Sequence, residues 1–74
     1  MRTLDQLKQK ECGTILSIVD NQLALQLISM GFVIGEKITV DRIAPLNDPI
    51  IISCGSNCVC IRKKEATLIT VDDE

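Results

Sequence analysis

The sequence predicts a mainly β fold: a small barrel of about five antiparallel strands, with a short α-helix inserted after the first strand. Three observations predict it. Short β-rich runs recur between turn residues, at "TILSIV", "KITVDRI", "PIIISC", "CVCI" and "TLITV". One stretch, "DNQLALQLISMGF", departs from that pattern and reads with a helical period. No strand–helix–strand repeat follows, so neighbouring strands should pair antiparallel. Five short strands in 74 residues favour a closed or partly open barrel.

Each element has a local reason. Thr3 followed by Gln6 is a capping-box pattern, which predicts a short helical turn with Leu4 and Leu7 facing the core. The first strand is expected over 14–19. The helix follows, with Asp20 or Asn21 as its N-cap and Gly31 as a left-handed C-terminal cap. Gln22, Gln26 and Ser29 form one polar stripe, and the wide remaining arc is apolar. No charge falls between Asn21 and Met30. Leu25 and Ile28 are therefore expected at the margin of the arc, free to meet another protein. Gly35 supplies a positive φ in the turn "VIGE".

A strand is expected over 37–43. Ile38 and Val40 alternate but Ile43 breaks the period, which predicts a bulge near Asp41 and Arg42. The stretch "APLNDP" is a turn framed by Pro45 and Pro49, with Asn47 as the residue tolerant of a left-handed backbone. Asp48 reads as a turn residue. Pro49 leads into "IIISC", "GSN" is read as a three-residue hairpin tip, and "CVCI" returns. "KKEA" predicts a helical turn, and "TLITV" closes the sheet before an acidic tail.

One domain over residues 1–74 is the expected organisation. Hydrophobic residues make up 46% of the chain and Phe32 is the sole aromatic, so the core must be aliphatic. A mean hydropathy of +0.26 is high for a short soluble chain and points to apolar surface kept for a partner. A net charge of -2 argues against nucleic-acid binding, and Arg62-Lys63-Lys64 is the only basic cluster. The polar N-terminus is unlike a signal peptide, and no run is long enough to span a bilayer, so a cytoplasmic protein is expected.

Little catalytic chemistry is on offer. The chain has no histidine, nucleophile elbow, phosphate-cradling loop or HExxH pair, so no enzyme is expected. The four cysteines are the sharpest chemical feature. With a three-residue hairpin loop, Cys54 would face Cys58 and share a sheet face with Cys60. That makes the three thiols an alternative soft-metal set, as in a metallochaperone. The spacing is not the paired CxxC of structural zinc sites, and cysteine also serves as small core filler, so no cofactor is expected beyond a weakly held transition metal.

The stretch "LISMGFVIGEKITVDRIAPLNDPIIIS" resembles the FeoA family of ferrous-iron-transport proteins. The resemblance rests on Met30-Gly31-Phe32, on Gly35, on Ala44-Pro45-Leu46 and on Asp48-Pro49-Ile50, with "IRKKEATLITV" like the family's last strands. Asn47 stands where the family has glycine, "LKQKE" lacks the usual Pro-Gly, and the helix lacks the basic residues of many members. The cysteines lie outside the family pattern. The resemblance implies an SH3-like barrel with an inserted helix. It also implies a cytoplasmic accessory that regulates or assembles the membrane ferrous iron transporter FeoB, by contact with the transporter's GTP-binding domain. Such a protein would touch the membrane only through its partner. Leu25, Ile28, Met30, Phe32, Leu46 and Asp48 are the candidate partner contacts. A stand-alone relative of the SH3-like domain of iron-dependent repressors is the other reading of the same resemblance.

Overall fold

Alternating aliphatic residues give each strand one side that must leave water. The computed structural model, which describes residues 2–46 and 48–73, gathers those sides around one core. Six antiparallel strands form the sheet: β1 Arg2–Thr3, β2 Cys12–Ile18, β3 Lys37–Ile43, β4 Ile50–Cys54, β5 Asn57–Ile61 and β6 Ile69–Asp73. Their spatial order is β1-β6-β2-β3-β4-β5. The sixth strand, beyond the five expected, is β1. Two residues are too few to carry a periodic signal, and β1 exists through its pairing of Arg2 with Val71 and Thr3 with Thr70. The first long strand, β2, begins at Cys12, two residues earlier than expected.

Among the described residues, two helices and one 3₁₀ turn accompany the strands: the 3₁₀ turn Leu4–Gln6, α1 Asn21–Ser29 and α2 Lys63–Ala66. The Thr3 N–H donates to Gln6 Oε1 at 3.2 Å, as the capping pattern requires, and the Thr3 hydroxyl donates to Asp5. Asp20 caps α1, its carboxylate accepting from the Leu23 N–H at 2.9 Å. After α1, Gly31 takes φ +90 and turns the chain, so that the Phe32 N–H donates back to the Leu27 carbonyl at 2.9 Å.

Apart from Phe32, the core is aliphatic, as expected. Ile15, Ile38, Val40, Ile50, Ile52, Ile61, Ile69 and Val71 come from the strands. Leu4, Leu7, Leu23, Leu27, Phe32 and Ala66 come from the helices and turns and cover the same core. The bulge on β3 lies where the broken period put it: Val40 pairs with Ile52 and Arg42 with Ile51, leaving Asp41 without an opposite residue. A second bulge at Leu16 separates the pairs Ile15–Val71 and Ser17–Thr70.

Candidate functional site

The helix α1 decides which apolar residues reach solvent. Leu23 and Leu27 are four residues apart, lie on one side, and are buried. Leu25 falls nearly opposite them and is 71% exposed. Ile28 is 46% exposed and lies three residues from Leu25, so the two form one outward apolar strip on a helix without charged side chains. Val19 and Ile34, which the sequence did not single out, are exposed as well. They sit just outside regular elements, where periodicity gives no inward or outward assignment.

Two candidates on the same stretch sit elsewhere. Phe32 is 0% exposed, so it cannot be a partner contact. The left-handed turn at Gly31 folds it under α1 into the core. Met30 is half-buried and packs against that core. Gly35 takes φ +96, the positive value its turn called for.

The proline-framed loop is tied at its base, where the Ala44 N–H donates to the Pro49 carbonyl at 3.1 Å. The Asp48–Pro49 peptide bond is cis. At the loop tip Pro45 is exposed, and Leu46 is 88% exposed. The left-handed conformation expected of Asn47 lies outside the described residues. Asp48 reaches across to α2, its carboxylate accepting from the Lys63 N–H at 3.0 Å. That makes Asp48 the tie between the loop and the start of α2, a long-range role that its local turn signal does not reveal. Close by, Asp5, Gln6, Leu7, Lys8, Gln9, Ile43, Ile50 and Lys63 line a shallow cleft of about 260 Å³. Gln9 uses its side-chain carbonyl to accept from the Ile43 N–H at 3.0 Å.

The cysteines do not form the alternative three-thiol set. The hairpin loop is Gly55-Ser56, two residues rather than three, with Gly55 at φ +62. This shifts the register by one, so that Cys54 pairs with Asn57 and Cys58 pairs with Ser53. A one-residue shift changes the face of every side chain. Cys54 therefore packs against the core, while Cys58 and Cys60 are exposed on the other face. Burial, reinforced by Glu36 with Oε2 3.9 Å from the sulfur, pushes the Cys54 thiol above its ordinary pKa. Such a thiol is less available as a thiolate ligand. Among the described residues no three His, Cys, Asp or Glu side chains come together as a metal site. None of their helices is long and apolar enough to cross a membrane.

Comparison with known proteins places this arrangement. The FeoA domain model matches residues 2–73. The FeoA protein of Chlorobium tepidum superposes with a TM-score of 0.90 at 33% identity, over 96% of this chain and 69% of that one. The FeoA of Stenotrophomonas maltophilia superposes at 0.82 and 26% identity, over 97% of this chain and 91% of that one. That protein is described as complexed with zinc, as a prokaryotic SH3 domain protein, and as a candidate ferrous iron transport activating factor. A manganese-dependent transcriptional repressor shares the fold at a TM-score of 0.84 and 21% identity, with 99% of this chain matching 41% of the repressor. No curated protein sequence matches closely enough to serve as a relative. The strand order, the inserted helix and the proline-framed loop thus have one common explanation: the chain belongs to the FeoA domain family, with an SH3-like fold.

Proposed function

We propose that this chain is a cytoplasmic accessory of the ferrous iron transporter FeoB, binding the transporter's GTP-binding domain and acting by protein–protein contact without catalysis. In this reading residues 1–74 work as one SH3-like unit. Family membership supports the link to ferrous iron transport, and so does the activating role suggested for the S. maltophilia relative. The observation that carries the contact itself is the exposure of Leu25 and Ile28 on an uncharged helix. An apolar strip held outward on a rigid element is the kind of anchor that interfaces bury. Leu46 on the stiff proline loop is a second anchor in this reading.

The zinc of the S. maltophilia relative is not carried over as a cofactor, because no three His, Cys, Asp or Glu side chains come together among the described residues. The separation of Cys54 from Cys58 and Cys60 by the sheet counts against a three-thiol metallochaperone. Leu25→Glu should leave the fold intact, within about 0.5 kcal/mol, and weaken capture of the FeoB GTP-binding domain by about 2 kcal/mol or more. Leu27→Glu should unfold the domain, since it places a charge in the core. The measurement is thermal unfolding beside a pull-down and an iron-uptake assay in cells lacking the native protein. Wild-type capture by folded Leu25→Glu would remove the α1 strip from the interface.

A further inference from the structure

The strand β5 ends the sheet, hydrogen-bonded to β4 on one side only. Natural edge strands are usually protected by lysine, proline, a bulge or a short length. The residues of β5, Asn57-Cys58-Val59-Cys60-Ile61, carry no charge, no proline and no register shift. The two-residue hairpin fixes which backbone groups are left over. In such a hairpin the pair flanking the turn is hydrogen-bonded, and bonded and unbonded pairs then alternate. Cys54–Asn57, Ile52–Val59 and Ile50–Ile61 are therefore the bonded pairs. The N–H and C=O groups of Cys58 and Cys60 point to the open edge instead. The unused backbone groups thus belong to the two residues whose thiols are also exposed.

We propose that two copies of this chain pair through their β5 strands, antiparallel about a two-fold axis at Val59. An edge of this kind is complementary to itself. Cys58 of one copy lies opposite Cys60 of the other, and each such pair exchanges two backbone hydrogen bonds. Because strand partners share a face, all four thiols lie on the same outer surface of the joined sheet. Arg62 falls opposite Ser56 of the other copy, so the basic run Arg62-Lys63-Lys64 meets no like charge in this register. Opposed Cα atoms in a bonded antiparallel pair are about 5.5 Å apart, inside the range of about 4.4–6.8 Å that a disulfide spans. The pairing therefore has a covalent reporter. Oxidised glutathione can accept two electrons and two protons from one Cys58–Cys60 pair. One intermolecular S–S bond forms, and two glutathione thiols are released.

The test uses the full chain with Cys12 and Cys54 changed to alanine. Analytical ultracentrifugation under reducing conditions should find a concentration-dependent dimer. Cys58→Ser/Cys60→Ser should keep that dimer, because its backbone groups are unchanged. Cys58→Lys/Cys60→Lys should be monomeric, with folding checked by circular dichroism. On addition of oxidised glutathione, neither Cys58→Ser nor Cys60→Ser alone should form a covalent dimer. An equal mixture of the two should, because only mixed dimers bring one Cys58 opposite one Cys60. A reduced chain that stays monomeric at all concentrations would overturn the pairing, and cross-linking of each single variant as efficient as that of the mixture would overturn the register.

Discussion

Gly31 and Gly35 do different work at nearly the same backbone angle. Both have positive φ, +90 and +96, where a side chain is strained. At Gly35 an added Cβ would meet nothing within 4 Å, whereas at Gly31 it would come within 2.7 Å of Asn57 Nδ2. Gly35→Ala should therefore cost the backbone strain alone, about 1–2 kcal/mol. Gly31→Ala should cost that and the displacement of the Asn57 side chain. A double-mutant cycle of Gly31→Ala with Asn57→Ala checks this by thermal unfolding. The excess at Gly31 should vanish in the Asn57→Ala background, and an unchanged excess would place its cause elsewhere. Lys10 is the one non-glycine of positive φ among the described residues, at +76, and its N–H donates to the Val40 carbonyl at 2.6 Å. It lies in "LKQKE", the stretch that departs from the family's Pro-Gly.

Among the elements, α2 depends most on a distant residue. It has four residues, too few for a stable helix by itself. Its first N–H is satisfied by Asp48 from the proline loop, and Glu65 accepts from the Arg62 N–H at 3.1 Å. Asp48→Ala removes the link from loop to helix and should destabilise the protein by about 0.5–2 kcal/mol, the range for a lost cap. Amide hydrogen exchange should rise first at Lys63 and its neighbours. Uniform loosening across the sheet would mean that Asp48 does not act through α2. By contrast, α1 carries its own cap in Asp20 and its own stop in Gly31, so its limits were readable from local residues.

Across the whole molecule, Glu11 joins the short first strand to the turn before β2. Its carboxylate accepts from the Lys8 N–H at 2.6 Å and lies 3.5 Å from the Arg2 guanidinium. The Lys8 N–H holds its pKa below the ordinary carboxylate value; lost hydration opposes this, and the nearby charges of Arg2 and Lys8 add to the lowering. A depressed carboxylate pKa contributes stability above the ordinary value, and that stability is lost as pH falls through the lowered one. Glu11→Gln should therefore lower Tm near neutral pH and match the wild type in strong acid. Tm measured across this acidic range checks the sign, and a gap that stays constant would remove ionisation as the cause.

The sequence by itself determined the fold class, the helix with its caps, the β3 bulge and the aliphatic core. Each rests on neighbouring residues: an alternation, a capping side chain, a glycine. Family membership was legible for the same reason, since the motif residues are close in sequence. Tertiary structure alone decided the rest. The choice of a two-residue hairpin put Cys54 inside and Cys58 and Cys60 outside, and "CGSNC" permits either loop length. Phe32 looked available beside a helix end, but the turn at Gly31 carried it beneath that helix. Asp48 found its partner fifteen positions away, and β1 exists only because β6 returns beside it. Burial and pairing of this kind depend on which segments meet after the sheet closes, and no local pattern of residues encodes that meeting.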